Sequence, residues 1–509
     1  MPLLGQLIKR AITLKYRLPQ SRLGSMDYQR IELRYLLKRA QYTEFGKHYG
    51  FSSILDSPDP VKSFRERVPA FDYDSLYEGW WHRLKTDKDV CWPGLIPYFA
   101  MSSGTSGTPS KYIPVSHEMV RAIRKAGIKQ IYALAAYNLP PAMFRKGILI
   151  LGGSTHLKQV GHYLEGDMSG ISASRIPGWF QHYYKPGPEI SGENDWHKKL
   201  DEITRKAPEW DIGIVCGIPA WVQILMEKIV THYNVKTIHD IWPNFSVYIH
   251  GGVNFGPYRK TFNQLLERPV STIETYIASE GYIAFQHWSD ANMTMLLNNG
   301  IFYEFVPFNE QNFPDGNMVE HPEALAIDEV REGTRYALLL STCAGSWRYL
   351  LGDVVQFTNA SKKEIFIAGR TKHFLNLCGE HLSVSNMSEA VQALENRFDI
   401  RVPEFTVAGV PHERLFAHRW FIGCDSEVDA DALRIELDEV LMRLNDDYRI
   451  ERGVALKDIQ LEVVPVKTFY EWMEKRGKVG GQNKMPRVLQ SNQLHDWEQY
   501  LQGARANGK

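Results

Sequence analysis

Residues Ser102 to Lys111 have the sequence SSGTSGTPSK and follow a short predicted strand, Tyr98 to Met101. The hydroxyl side chains, two glycines and lysine of this segment can surround an anion with N–H and O–H donors, and the lysine adds positive charge. The spacing differs from that of the GxxxxGKS/T phosphate loop and of the GxSxG nucleophile elbow. The segment therefore predicts a phosphate-binding loop, with a flexible Ser/Gly linker as the structural alternative.

Predicted helices and strands alternate along the chain around this loop. Apolar residues at helical spacing predict helices at Tyr35 to Tyr49, at Ser116 to Tyr137 and from Pro219. Short apolar and β-branched runs predict further strands at Gly147 to Leu151, Ile212 to Val215, Ser246 to Ile249, Thr272 to Ile277, Ile301 to Val306 and Tyr336 to Thr342. This alternation predicts a large α/β domain with mixed sheets.

Beyond Glu364 the predicted elements become shorter. They comprise the runs EIFIAG and HFLNL, helices at Asn386 to Arg397 and Ala430 to Leu444, and strands at Phe405 to Val410 and Trp420 to Gly423. The pattern is typical of a compact α+β domain. We place the boundary near Ala368 to Thr371, which gives an N-terminal domain of residues 1–368 and a smaller C-terminal domain of residues 369–509.

The composition excludes several classes of protein. Lys plus Arg and Asp plus Glu both number 59, so no net charge exists to attract nucleic acid, and small molecules are the expected partners. The five cysteines form no CxxC pair, which argues against a disulfide framework and favours a reducing cytoplasm. Because no apolar run approaches the roughly 20 residues of a membrane span, we expect no integral membrane association.

The N-terminal segment has two interpretations. Its apolar residues recur at helical spacing among basic ones, and the residues concerned are Leu3, Leu4, Leu7, Ile8, Ala11, Leu14 and Leu18 with Lys9, Arg10, Lys15 and Arg17. Such a basic amphipathic helix can lie on a membrane surface. Many helices that pack on their own domain show the same periodicity, so we favour a docked helix.

Three further motifs follow the loop in a defined order. HGGVNFG at residues 250–256 follows a predicted strand, YIASEG at residues 276–281 ends another, and WRYLLGD at residues 347–353 comes after a third. Together with SSGTSGTPSK they resemble the adenylate-forming superfamily, and in particular the Gretchen Hagen (auxin-responsive) family of acyl-acid amido synthetases. Further likeness is carried by FYEFVP at 302–307, the stretch 342–353, Gly369-Arg370 and GQNKMPR at 481–487.

The resemblance implies a site for Mg²⁺ and ATP that combines these motifs. It implies contacts to the β- and γ-phosphates from Ser102, Ser103, Gly104, Thr105, Ser106 and Lys111, and it includes Gly107 among the nucleotide-binding residues. Tyr276 would offer its ring to adenine, Ser279 its hydroxyl to the α-phosphate, and Glu280 a hard oxygen to Mg²⁺. Taken alone, Tyr276 fits a core aromatic residue, and Ser279-Glu280 fits the start of a helix.

The resemblance also implies residues for the nucleoside. Asp353 has two acceptor oxygens for the ribose hydroxyls, and Arg348 lies near enough in sequence to add charge there, although a Gly-Asp turn is the plain alternative. Gly251 and Gly252 have no Cβ, so the chain could pass close to the purine, or they could simply form a turn. Arg370, beside the predicted boundary, completes the expected nucleotide-binding set.

Lys484 is the most informative single residue under this resemblance. Adenylate-forming enzymes generally bring a lysine from the small domain to the reacting carboxylate and α-phosphate, where a fixed cation stabilises the transition state. We therefore expect Lys484, with Arg348 and Lys111, to act in catalysis. Lys478 is a nearby competitor, and a solvated basic tail is the structural alternative for both Lys478 and Lys484.

Two other segments bear on the substrate and the hinge. Residues 154–182 combine aromatic with cationic side chains and are expected to help line the acid pocket, through His156, His162, Arg175 and Trp179. No HExxH or paired Cys/His spacing suggests a metal other than Mg²⁺. After the hinge arginine many superfamily members have an acidic residue, whereas this chain continues Thr371-Lys372-His373, which leaves the hinge movement open.

The sequence as a whole predicts a cytoplasmic two-step ligase. A carboxylate would attack the α-phosphate of Mg-ATP and release pyrophosphate. The resemblance alone implies the second step, in which an amine, expected to be an amino acid, attacks the acyl carbon. Acyl transfer to coenzyme A or another thiol would use the same ATP contacts and is one alternative. A nucleotide-binding scaffold without turnover is the other.

Overall fold

The structure, a computed structural model, describes residues 2–17, 23–103, 110–176, 178–253, 255–314, 317–371, 374–475 and 485–507. Its α-helices are α1 (Pro2–Arg17), α2 (Ser25–Ala40), α3 (Glu44–His48), α4 (Phe51–Leu55), α5 (Pro60–Arg67), α6 (Tyr73–Gly79), α7 (His117–Ala133), α8 (Met168–Ala173), α9 (Pro188–Ser191), α10 (Trp196–Lys206), α11 (Pro219–His232), α12 (Arg259–Gln264), α13 (Val384–Phe398), α14 (Ala430–Leu444), α15 (Asp446–Val454), α16 (Val466–Lys475) and α17 (Ser491–Asn507).

The strands are β1 (Tyr98–Ser103), β2 (Ser110–Val115), β3 (Gly147–Leu151), β4 (Lys158–Val160), β5 (Tyr163–Gly166), β6 (Tyr184–Lys185), β7 (Ile212–Gly217), β8 (Val247–Gly251), β9 (Ser271–Ala278), β10 (Gly281–Gln286), β11 (Met293–Met295), β12 (Ile301–Pro307), β13 (Arg335–Thr342), β14 (Tyr349–Asn359), β15 (Glu364–Arg370), β16 (Phe374–Leu375), β17 (Leu382–Ser383), β18 (Glu404–His412), β19 (Leu415–Gly423), β20 (Leu456–Val464) and β21 (Val488–Leu489). Short 3-10 helices, such as Pro141–Arg145, join some of these elements.

Eleven strands form one large mixed sheet in the order β12-β13-β14-β15-β11-β10-β9-β8-β7-β3-β6. Neighbouring strands from β9 to β6 are parallel, and those from β12 to β9 are antiparallel. β9 therefore joins a parallel half of the sheet to an antiparallel half. Ligands of open α/β sheets bind beyond the carboxyl ends of the strands, so the end of β9 is where a site is expected.

The chain divides into two compact units. One comprises Met1–Ser102 with Tyr112–Thr371, and the other comprises Ser103–Lys111 with Lys372–Lys509. The second unit contains the four-stranded sheet β20-β19-β18-β21 and a core in which Trp497 of α17 contacts Phe421, Phe469 and Trp472. This unit is therefore of the α+β type that the shorter elements predicted.

Most predicted elements are present close to their predicted positions. β3 and α14 begin and end at the predicted residues, because an uninterrupted apolar run and an Asp429 cap mark their limits. The single helix predicted from Tyr35 to Tyr49 is wrong. Thr43 accepts a hydrogen bond from the N–H of Gly46 and starts a second helix, so the chain turns between α2 and α3.

The N-terminal helix α1 packs against the 3-10 helix Pro141–Arg145. Lys9 donates a hydrogen bond to the carbonyl of Leu139 at 2.7 Å, and the backbone at Gly5 approaches Pro141 so closely that a Cβ would lie 2.4 Å from its carbonyl oxygen. The docked arrangement is thus confirmed. Leu7 and Leu14 face outward. Among the described residues, every helix is too short or too polar to cross a bilayer.

Candidate active site

The motif YIASEG forms the tip of a hairpin at the end of β9. Ala278 and Gly281 are paired across β9 and β10, so Ser279 and Glu280 are the two residues of the turn. The alternative that these two residues begin a helix is therefore wrong. The start of the YIASEG motif lies beside the end of β8, because Gly251 of β8 pairs with Thr275, the residue before Tyr276, in parallel register. Two predicted motifs, HGGVNFG and YIASEG, thus share the carboxyl edge of the parallel strands.

Asp353 of β14 lies beside Tyr276 although four strand-to-strand steps separate β14 from β9 in the sheet. The Tyr276 hydroxyl donates a hydrogen bond of 2.6 Å to Oδ2 of Asp353. In a flat sheet the two strands would be about 19 Å apart, so the sheet must curl to bring these side chains together. On the other side, Nε of Arg370 lies 2.9 Å from Oδ1 of Asp353. Three predicted nucleotide-binding residues therefore form one cluster.

Glu280 extends this cluster to a second tyrosine, Tyr349. Burial raises the pKa of Tyr349, and Glu280 raises it further by its charge and by accepting a hydrogen bond from the hydroxyl. Burial also raises the pKa of Tyr276, as do the charges of Asp353 and Glu280, while Arg370 opposes the rise. Both phenols are thus held neutral as donors between two carboxylates and one guanidinium.

This cluster, which we call the carboxylate cluster, consists of Tyr276, Glu280, Tyr349, Asp353 and Arg370. Its chemistry suits a magnesium nucleotide, because Mg²⁺ is commonly held by one or two carboxylates together with phosphate oxygens and water. The part of the chain that the structure describes contains no group of three or more His, Cys, Asp or Glu side chains that could hold a metal. The five cysteines are free.

Tyr276 is a buried core residue whose hydroxyl belongs to the carboxylate cluster. Its side chain is 4% exposed and belongs to the large hydrophobic core, as the core-aromatic alternative expected. Its polar end, however, reaches Asp353. Stacking of its ring on adenine stays a prediction. A carboxylate offers about four lone-pair positions, so Asp353 keeps acceptor capacity for ribose hydroxyls beyond its present partners.

Gly251 and Gly252 have structural reasons to be glycines. A Cβ on Gly251 would lie 2.4 Å from the carbonyl oxygen of Thr275, and Gly252 has a φ of +83°. Close strand contact and a left-handed turn therefore account for both residues. A role beside the purine stays a prediction.

Replacing Gly251 with alanine is expected to lower the free energy of unfolding by about 1–3 kcal/mol, because the neighbouring backbone of β9 would have to move. Denaturant unfolding measures this change. Gly127→Ala is the matched control: it lies in α7 with nothing within 4 Å of the added Cβ, so stability should stay equal or rise. Equal stability of Gly251→Ala and the native chain would contradict the close contact.

Arg348 requires a correction, because its guanidinium does not contact Asp353. It binds Glu304 of β12 through two hydrogen bonds of 2.9 and 3.0 Å, and it donates two more to the carbonyls of Arg65 and Val68. The side chains of Arg348 and Glu304 are 6% and 1% exposed. We therefore assign Arg348 to a buried structural ion pair in place of the ribose site and the catalytic set.

The motifs FYEFVP and WRYLLGD contain Glu304 and Tyr349 but predicted no role for either residue. Glu304 is a single acidic residue within the apolar run FYEFVP, and a lone charge in a buried strand signals a buried partner. Tyr349 immediately follows Arg348 at the start of β14. No local pattern indicated that its hydroxyl would bind Glu280.

The structure describes some of the remaining predicted site residues and leaves others outside the described residues. Ser102 and Ser103 end β1, and Lys111 is half-buried near the start of β2. Gly104, Thr105, Ser106, Gly107, Lys478 and Lys484 lie outside the described residues. In the segment expected to line the acid pocket, His156 and His162 are exposed, and Arg175 lies over the ring of Tyr98 at 5.4 Å. The side chain of Trp179 is also outside the described set.

Three family models match the chain in order. The GH3 family N-terminal domain matches residues 24–200, the GH3 family central domain matches residues 294–364, and the GH3 family C-terminal domain matches residues 385–493. The first match contains the segment Ser102 to Lys111, the second contains Glu304, Arg348, Tyr349 and Asp353, and the third contains Lys484.

Proteins of similar sequence include two plant enzymes. The chain is 27% identical to indole-3-acetic acid-amido synthetase GH3.8 of Oryza sativa subsp. indica, over 40% of this chain and 35% of that protein. It is 24% identical to indole-3-acetic acid-amido synthetase GH3.4 of Arabidopsis thaliana, over 57% of this chain and 49% of that protein. The matches thus span half or less of these relatives.

Solved structures share the fold. GH3.15 acyl acid amido synthetase is 15% identical with a TM-score of 0.57, over 93% of both chains. 2-Hydroxyisobutyryl-CoA ligase, in complex with 2-HIB-AMP and CoA, is 13% identical with a TM-score of 0.57, over 93% of this chain and 91% of that chain. These likenesses confirm the predicted adenylate-forming fold. Because three domain models of one family follow each other from residue 24 to residue 493, the chain belongs to the GH3 family.

Proposed function

We propose that the protein is an acyl-acid amido synthetase that uses Mg-ATP. In the first step an oxygen of a small carboxylic acid attacks the α-phosphorus, and pyrophosphate leaves. In the second step the nitrogen of an amine, in our proposal an amino acid, attacks the acyl carbon; AMP leaves and the nitrogen loses a proton. The carboxylate cluster at the end of β9 is the observation that carries this proposal, because its five side chains suit a magnesium nucleotide.

Each described member of the cluster has a proposed task. Asp353 would accept the ribose hydroxyls, with Tyr276 and Arg370 fixing the orientation of its carboxylate. Glu280 would supply an oxygen ligand to Mg²⁺, which neutralises phosphate charge when bound. Tyr349 would hold the Glu280 carboxylate in position.

The remaining predicted residues complete the site in this proposal. Ser102 to Gly107 and Lys111 would bind the β- and γ-phosphates, Ser279 the α-phosphate, and Lys484 the reacting groups. Residues 1–368 would act as the adenylation domain and residues 369–509 as a mobile small domain. Cytoplasmic location is part of the same proposal.

Transfer to a thiol is a second candidate for the later step. The ligase whose structure contains 2-HIB-AMP and CoA has the same TM-score to this chain as the acyl acid amido synthetase. The family models and the named sequence relatives favour an amine acceptor.

Carboxylate-dependent exchange of labelled pyrophosphate into ATP tests the first step. We expect exchange with at least one acid in a panel of aromatic, indole-type and short aliphatic carboxylic acids, and none without Mg²⁺. Mass spectrometry of products formed with amino acids or with coenzyme A then identifies the acceptor. ATP binding without exchange for every acid would favour the scaffold alternative.

A further inference from the structure

An open groove of about 570 Å³ lies between α2 and α7, and we call it the α2–α7 groove. Glu32, Tyr35 and Arg39 line it from α2, and Arg121 and Lys125 line it from α7. The residues of each set are three, four or seven positions apart, so each set occupies one face of its helix. All of these elements belong to the first compact unit.

Positive charge is in excess along this groove. Its lining contains three cationic side chains and two carboxylates. The carboxylate of Glu118 is shared by Arg39 at 3.0 Å and Arg121 at 3.7 Å, so one acid serves two guanidinium groups. The side chain of Arg121 is 64% exposed and can therefore accept a further anionic partner.

Lys125, one helical turn beyond Arg121 on α7, and Glu32 of α2 also line the groove, and they have different partners. The Lys125 ammonium donates a hydrogen bond of 3.3 Å to the carbonyl of Asn298, which is a neutral acceptor. Burial raises the pKa of Glu32, whereas the N–H of Gly300 and the charges of Lys125 and Lys129 oppose the rise. Glu32 therefore supplies a carboxylate acceptor within a largely cationic lining.

We propose that the α2–α7 groove binds an α-amino acid with a large apolar side chain, at a site separate from the carboxylate cluster. The ligand carboxylate meets Arg121 and Lys125, and its ammonium meets Glu32. An α-amino acid can pair both of its charges here, whereas a simple anion would leave Glu32 without an added partner and a simple cation would face the two bases. The ring of Tyr35, which is 43% exposed, offers a surface to the ligand side chain.

Two residues that are adjacent in sequence to the groove lining lie against the turn that carries Glu280. A Cβ on Gly281, the residue after Glu280, would lie 2.8 Å from Cδ1 of Ile301 and 3.1 Å from Sδ of Met119. Ile301 follows the groove residue Gly300, and Met119 follows the groove residue Glu118. Met119 and Ile301 therefore lie against Gly281, so a ligand that shifts α7 or residues 298–300 would reach the Glu280 turn through these two side chains.

Isothermal titration calorimetry of the full chain with L-phenylalanine tests the binding. We expect saturable binding that falls about tenfold or more for N-acetyl-L-phenylalanine, which lacks the ammonium, and for phenethylamine, which lacks the carboxylate. Lys125→Met and Glu32→Gln should each weaken binding of L-phenylalanine about tenfold. Arg124→Gln is the matched control, because Arg124 is an exposed cation of α7 outside the groove lining and should leave binding unchanged.

Asp353→Ala separates this proposal from the proposed function. The substitution alters the carboxylate cluster and should leave L-phenylalanine binding unchanged, even if the chain proves inactive as a ligase. Lack of saturable binding at millimolar L-phenylalanine, equal binding of the two truncated analogues, or full binding by both Lys125→Met and Glu32→Gln would overturn the groove site. Loss of binding in Asp353→Ala would overturn it too.

The link to the Glu280 turn rests on the proposed function and has its own measurement. Saturating L-phenylalanine should change the dissociation constant for Mg-ATP, and Mg-ATP should change that for L-phenylalanine by the same factor. Two unchanged constants would overturn the link and leave the binding result standing.

Discussion

Lys484→Ala is expected to lower the rate of carboxylate-dependent pyrophosphate exchange about 10²–10³-fold while Mg-ATP affinity stays nearly unchanged. In the proposed reaction a carboxylate approaches the negatively charged α-phosphate. A cation placed where charge develops stabilises that transition state much more than it stabilises bound ATP. The loss should therefore appear in the exchange rate, whereas the dissociation constant for ATP, measured by calorimetry, should change little.

Lys478→Ala is the matched control for this prediction. It removes the same charge six residues earlier in the same basic segment, which also contains Lys475, Arg476 and Arg487. If the segment contributes only a general positive field, both substitutions will have the same small effect. Unchanged exchange in Lys484→Ala would remove this lysine from the proposed mechanism, and a large loss in Lys478→Ala alone would transfer the role to Lys478.

Arg348→Met is expected to lower the free energy of unfolding by about 3–5 kcal/mol, because it leaves the buried Glu304 carboxylate without its main partner. The side chain of Glu304 is 1% exposed, and of its ion-pair partners among the described residues Arg65, 3.2 Å from Oε1, would remain. The carbonyls of Arg65 and Val68 would also lose their donors. Denaturant unfolding measures the change.

Two further variants isolate the cause of the expected loss. The double variant Arg348→Met with Glu304→Met should recover part of the lost stability, because it removes the unpaired buried charge. Arg268→Met breaks a surface pair whose side chains are 46% and 69% exposed, and it should cost less than about 1 kcal/mol. Native stability of Arg348→Met combined with lost Mg-ATP affinity would return Arg348 to the ribose site.

The elements that could be predicted from the sequence are those with a local cause. The apolar run of β3 and the capped, periodic α14 carry their own boundaries, so their limits agree with the prediction. The turn after Ala40 was not predicted, because the apolar residues keep their helical spacing across it. The N-cap at Thr43 starts a new helix in spite of that spacing.

Within the candidate site, the motifs predicted which residues lie together better than they predicted the individual contacts of each residue. Tyr276, Glu280, Asp353 and Arg370 come together in the structure, as one shared site required. The partner of Arg348 could not be predicted, because Glu304 lies 44 positions away on a different strand. Side-chain pairs of this kind depend on strand order and sheet curvature, which no single motif specifies.

The contact between Asp353 and Tyr276 across the curled sheet determines where the chain can lose a residue. Side chains alternate between the two faces of a strand, so removing one residue inside β14 ahead of Asp353 would turn its carboxylate away from Tyr276. Removing a residue from the connection between β14 and β15, at positions 360–363, would leave the direction of Asp353 untouched. A scan of single deletions along residues 349–363 should accordingly separate into an intolerant strand and a permissive loop.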